Sequence, residues 1–263
     1  MNGDTPQDAW PGPPAELPVE PPPPPLEAEP LPAPDPYPFW NYVDVLLIAA
    51  LTFPCMAAGI LVVKGLFWVL HFHSSLAVVE LLPAQILGYV FVFSALAIMF
   101  RAQYRKPLWN SLAWVPSSLS YSWTIIAGAA TAIAVAYIAY FLKTPETSNP
   151  MTEMMKDETS LFLLAFFGIF VAPLAEELAF RGFLQPLLVR SFGNVYGILL
   201  AAIPFGILHF HEYGDSWRHA LVISMAGVGF GVMRHATGST KASTLMHSAY
   251  NAVFFAALWG SKR

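Results

Sequence analysis

Charge is scarce in this chain. Only 11% of its 263 residues are Asp, Glu, Lys or Arg, while 56% are hydrophobic. A water-soluble domain carries about 25% charged residues, so the shortage excludes an ordinary soluble globule. Cysteine is nearly absent as well. Cys55 stands alone in an apolar run, which excludes a disulfide framework and any CxxC metal site and leaves a small buried hydrophobe. No basic cluster accompanies the net charge of -4, which argues against a nucleic-acid partner. No internal repeat is visible.

The N-terminus also lacks something: a positive patch followed by an apolar run, so it is not read as a secretory signal. What it has is proline. Residues 1–38 hold fifteen of the 24 prolines, several acids and no Lys or Arg. Such a segment cannot bury enough apolar surface to fold, and the expectation is a disordered, partly polyproline II tail. A solvated spacer is the preferred role, with a weak PxxP-type partner as the other reading.

From residue 39 onward the chain reads as one membrane-embedded domain. About 20 apolar residues cross the hydrocarbon as a helix. The candidate spans are Tyr42–Val63, Leu76–Phe100, Trp123–Leu142, Ser160–Arg190, Val195–Phe210, His219–Met233 and Ser243–Trp259. Leu66–His73 could extend the first span, lie at the interface or re-enter the membrane. The expected fold is therefore all-α, a polytopic transmembrane helix bundle of seven to eight spans. It is an integral, multi-pass protein whose constant neighbour is the lipid bilayer. The basic residues divide almost evenly between the two sides. The side of the N-terminus, with Arg101, Arg105 and Lys106, is assigned to the cytoplasm. A generic prokaryotic look points to a plasma (inner) membrane.

Against this apolar background, two adjacent carboxylates stand out in the run Val171–Gly182: Glu176 and Glu177, with Arg181 one turn further on. A single charged group at bilayer depth costs roughly 2.5 to above 10 kcal/mol, so ionisable residues there are functional candidates by default. The spacing separates the pair. Glu177 and Arg181 are four apart and share a helical face, which predicts an intrahelical ion pair. Glu176 is turned about 100° away and is free to face a cleft.

Spacing also supplies Glu176 with company. A turn is marked at Ser191–Asn194, with Glu176 about sixteen residues before its centre and His209 about sixteen after it. Two helical arms would place both side chains level, about 24 Å from the turn. The same counting leaves His247 roughly ten residues from that level. A tilted or shortened sixth span, or turns that penetrate the membrane, would close the gap. His247 and Asn251 share one face, as do Phe205 and His209.

A carboxylate beside an imidazole activates water, and a second His with an Asn supplies donors for a developing oxyanion. Glu176, His209 and His247 are also ligand types that hold a catalytic divalent metal such as zinc. From the residues alone, both mechanisms stay open.

The three groups Glu176-Glu177-x-x-x-Arg181, Phe205-x-x-x-His209 and His247-x-x-x-Asn251 resemble the motifs of the CPBP family. These are type II CAAX prenyl endopeptidases and bacteriocin-processing or self-immunity proteins. The resemblance covers residues 160–259. It implies an intramembrane endopeptidase acting on a membrane-associated protein or peptide. Glu176 and His209 would activate water, His247 and Asn251 would stabilise the tetrahedral intermediate, and Glu177 and Arg181 would support the site. The family is labelled metal-dependent, although a metal-free glutamate mechanism has been argued for it. Two rivals are a proton-coupled transporter, since Glu and His in spans also build proton relays, and a non-catalytic immunity or scaffold protein. The bland alternatives are an interhelical ion-pair network for Glu176, Glu177 and Arg181, an interfacial His209, and a His247–Asn251 hydrogen bond that glues helices.

Overall fold

This computed structural model describes Gly12 and residues 36–145 and 150–261. The proline-rich tail up to residue 35, apart from Gly12, falls outside the described residues together with its PxxP role, as do Lys262 and Arg263. The compact unit spans Pro36–Arg263. All its regular elements among the described residues are helical: α1 (Tyr42–Val69), α2 (Val78–Met99), a short α3 (Leu108–Ser111), α4 (Tyr121–Phe141), a short α5 (Pro150–Met154), α6 (Glu158–Phe166), α7 (Ala172–Glu177), α8 (Gln185–Leu208), α9 (Trp217–Thr237) and α10 (Thr240–Ser261). Wide π turns extend α2 at Phe100–Tyr104 and join α6 to α7 at Phe167–Val171 and α7 to α8 at Leu178–Leu184.

Local chemistry starts these helices where polar residues can absorb their free N–H groups. Asn41 caps α1 by accepting from the amides of Val43 and Asp44, while the Asp44 carboxylate accepts from the Asn41 amide. This is a reciprocal capping box. Asp157 likewise caps α6 through the Ser160 amide at 2.7 Å. The ambiguous Leu66–His73 stretch resolves simply: α1 runs on to Val69.

The outer faces are apolar. Phe53 is 86% exposed, Leu61 71% and Trp68 80%. In water such a surface would be costly, whereas lipid tails accept it without penalty. Among the described residues, five helical segments are long and apolar enough to cross a membrane, against seven expected spans: Tyr42–Val69, Val78–Tyr104, Tyr121–Phe141, Glu158–Leu208 and Trp217–Thr237. The difference has two sources. The 51-residue segment Glu158–Leu208 contains both the fourth and fifth expected spans. It breaks at Gly193, whose φ of 78° is left-handed and open to glycine at little cost. The seventh expected span lies in α10, which is not among those five.

Where α8 meets α9 the backbones nearly touch. A Cβ on Gly206 would lie 2.1 Å from Ser224 Oγ and 2.3 Å from the Ala220 carbonyl oxygen. Because one of these neighbours is backbone, Gly206→Ala is expected to destabilise the protein by about 1–3 kcal/mol. Thermal unfolding in detergent measures it, and an unchanged midpoint would show that the two helices can separate freely.

The chain before α1 does not sit at the interface. Trp40 is fully buried among Phe39, Phe100 and Phe183, and its indole N–H donates to the Phe183 carbonyl at 3.0 Å. Arg190 binds the carbonyls of Pro38 and Trp40 from the other side. Trp123 and Trp259, by contrast, remain on the outside.

Candidate active site

The expected hairpin forms, and its register is visible in its contacts. Phe180 and Phe205 stand equally far from the turn centre, and their rings meet edge to face at 5.3 Å. Glu176 and His209 occupy the same register one turn further from the turn. Both line one cavity of about 330 Å³, together with Glu212, Tyr213, His247 and Asn251. They do not form a hydrogen bond or ion pair with each other. His209 instead uses Nδ1 to donate to the Phe205 carbonyl at 2.8 Å, and its Nε2 faces Glu212 Oε2 at 4.0 Å.

Glu177 and Arg181 are both fully buried, with Arg181 Nη1 2.9 Å from Glu177 Oε1. Charges so placed persist only when paired and hydrogen-bonded. Arg181 Nη2 donates to the Gly227 carbonyl on α9 at 2.8 Å, and the guanidinium lies 4.4 Å from the Phe205 ring centroid. The pair therefore does more than neutralise a charge: it ties the hairpin to α9. Four residues on, Gln185 repeats the device with the Gly231 carbonyl at 2.9 Å.

His247 reaches this pair despite the counting mismatch. Its Nδ1 lies 3.0 Å from Glu177 Oε1 and its Nε2 3.7 Å from Glu176 Oε2. The α9–α10 turn is not at the outer edge of the protein. Ser239 and Thr240 are fully buried, and they bind the carbonyls of Val115 and Leu112 at 2.5 and 2.6 Å. The segment after α3 thus covers the turn, and α10 starts inside. Because the Arg181-paired Glu177 is an acceptor, Nδ1 of His247 carries the hydrogen and Nε2 is turned toward Glu176. Phe230 stacks on the imidazole at 4.3 Å and fixes its plane.

Asn251 is held by a defect in the helix that carries the carboxylates. In the π turn the Ala172 amide bonds the Phe167 carbonyl, five residues back. The next such bond would need an N–H at residue 173, and Pro173 has none. Gly168 is left with a spare carbonyl, and Asn251 Nδ2 donates to it at 2.6 Å. Pro173 therefore stands at the end of a π turn and leaves a freed acceptor. One amide hydrogen of Asn251 is engaged there, and the other is available to the cavity.

The residues missed by motif reading come from elsewhere. Glu212 and Tyr213 lie in the loop after α8 and Tyr250 on α10, all lining the same cavity. Burial pushes the Glu212 carboxyl above the ordinary carboxylate range, with His209 pulling the other way. Burial and the neighbouring Glu212 raise the Tyr213 hydroxyl. The signal for Glu212 was its position three residues after His209, within reach across one turn. His211, two residues beyond His209, is exposed and pairs with Asp215 at 2.5 Å.

The donor set Glu176, His209 and His247 does not assemble as a metal centre. Among the described residues no group of three or more His, Cys, Asp and Glu is arranged to hold a metal ion. The two Nε2 atoms, which would be the ligating nitrogens, lie against different carboxylates: His209 Nε2 is 4.0 Å from Glu212 Oε2 and His247 Nε2 3.7 Å from Glu176 Oε2. A three-ligand zinc site needs donors about 2.0–2.2 Å from one point.

These features define a class: an all-α, multi-pass membrane protein with a carboxylate–imidazole cluster enclosed between its helices. Residues 158–253 match the family described as Rce1-like, type II CAAX prenyl endopeptidase. That segment, which contains all six motif residues from Glu176 to Asn251, is similar to this family. No curated protein and no solved structure matches the chain significantly.

Proposed function

We propose that the protein is an intramembrane endopeptidase of the CAAX type. It hydrolyses a peptide bond in a membrane-associated protein or peptide, using water activated by Glu176 without a resident metal. The observation that supports this reading is the division of labour between the adjacent carboxylates. Glu177 is wholly enclosed and committed to Arg181 and His247, whereas the Glu176 side chain is 23% exposed and lines the cavity. Glu176 takes a proton as the water oxygen bonds to the peptide carbonyl carbon. It returns that proton to the amine nitrogen as the C–N bond breaks. His209 positions the water and the free amide hydrogen of Asn251 faces the developing oxyanion, while His247, its hydrogen held by Glu177, turns Nε2 toward Glu176. The chain makes seven spans in this reading, Gly193 separating the fourth from the fifth and α10 supplying the last against α4 and α9.

A second cavity, of about 480 Å³ and mostly apolar, adjoins the first and shares Glu176, Phe205, His209 and Glu212 with it. An apolar side pocket against a polar one suits a peptide with a lipid or apolar segment next to the cleaved bond. Purified protein in liposomes is expected to cleave a lipidated, fluorogenic peptide. Exhaustive chelation, checked by elemental analysis, is expected to leave the rate within about twofold. Loss of activity on chelation and its return with zinc would replace the glutamate mechanism with a metal-assisted one.

A further inference from the structure

The first cavity is bounded on one side by α2, a helix outside the segment matched to the family. Two polar side chains on α2 face the site, and no motif accounts for them. Gln85 lines the first cavity, and Tyr89, one turn later, lines the second beside Glu176, His209 and Glu212. Gln85 Nε2 donates to the Tyr89 hydroxyl oxygen at 2.9 Å. That bond uses the oxygen as an acceptor and leaves the phenolic hydrogen unspent, for no acceptor takes it among the described residues. The ring is held as well. It stacks on Phe167 at 6.3 Å and 15°, and Phe167 opens the π turn that leads to Glu176.

A hydroxyl that faces a mostly apolar cavity with its hydrogen unspent can donate to a bound group. The chemistry of the cavity names the recipient. Glu177 takes the hydrogen of His247 Nδ1, Gly168 takes one amide hydrogen of Asn251, and Phe205 takes the hydrogen of His209 Nδ1. Beside the Tyr213 and Tyr250 hydroxyls of the first cavity, Tyr89 offers a further donor from the adjoining one, where it sits with Glu176 and His209. We propose that Tyr89 is a catalytic residue: its hydroxyl, aimed by Gln85, donates to the carbonyl oxygen of the peptide bond being cleaved. The bond strengthens as negative charge builds on that oxygen. The proposal rests on the endopeptidase reading and extends the site beyond the matched segment.

Tyr89→Phe isolates the hydroxyl, because phenylalanine keeps the stack on Phe167. With a lipidated fluorogenic peptide in liposomes, Tyr89→Phe is expected to lower kcat about 10- to 100-fold, the range for loss of one oxyanion donor being up to about 1,000-fold. KM should stay within about twofold, and thermal stability should be unchanged. Gln85→Leu should lower kcat in the same direction by a smaller factor. A Tyr89→Phe enzyme with unaltered kcat overturns the proposal, as does one whose defect lies wholly in KM or in a lowered melting temperature. Glu176→Gln, assayed in parallel, separates the two ideas. If Glu176→Gln is inactive and Tyr89→Phe is unimpaired, Tyr89 fails alone. If Glu176→Gln is as active as the wild type, the base is another residue and Tyr89 is judged on its own kcat; if the wild type cleaves no peptide, the endopeptidase reading fails and takes Tyr89 with it.

Discussion

Replacing Glu176 by glutamine is expected to reduce peptide cleavage by a factor of roughly 100 to 10,000, the contribution of a positioned general base. The substitution is close to isosteric, so it removes proton affinity and little else. The neighbouring network gives a physical reason to expect a folded variant. Arg181 and His247 Nδ1 bind Glu177, not Glu176, and Arg181 Nη2 binds the Gly227 carbonyl. None of these contacts requires a charge at residue 176. Steady-state kinetics on reconstituted protein, with size-exclusion elution and melting temperature as controls, measure the effect. Activity within about tenfold of the wild type would move the base to another residue, with Glu212 the next carboxylate on the cavity wall.

The second large effect concerns stability rather than chemistry. Arg181→Met removes a cation that is 0% exposed and leaves Glu177 buried without its charge partner. Breaking a buried pair from one side costs about 3–5 kcal/mol. Here the loss also includes the bond to Gly227, which ties the hairpin to α9, and the contact over Phe205 at 4.4 Å, which ties its two arms together. Denaturant or thermal unfolding in detergent should register it. Changing both partners, Glu177→Gln with Arg181→Met, is expected to recover part of the loss, because no uncompensated charge then remains. A single variant destabilised by less than about 1 kcal/mol would mean that water reaches Glu177 in solution.

These two expectations rest on distinctions that were readable to different degrees. The ion pair of Glu177 with Arg181 follows from four-residue spacing, and it survives even though Leu178–Leu184 winds as a π turn. The level placement of Glu176 and His209 follows from a turn signal and helical rise, with Phe180 against Phe205 as its check. His247 was harder. Counting along α9 and α10 assumes that the turn lies at the membrane surface, whereas Ser239 and Thr240 are buried beneath Leu112–Val115. Nothing local in those residues signals that a segment more than 100 positions away covers them.

The sequence by itself determined the solvent, the helical class and the cast of the site. Those depend on composition and on periodicity along one helix or one hairpin, and both are local. Only the tertiary structure decided which carboxylate is enclosed by which imidazole and why Asn251 is held at Gly168. It also decided that Trp40 belongs to the core, that a metal trio is not assembled, and that Tyr89 and Glu212 share the cavity. The physical reason is the same in each case. These outcomes depend on hydrogen bonds and packing between elements distant in sequence, and on π turns that shift the helical face without leaving a periodic trace.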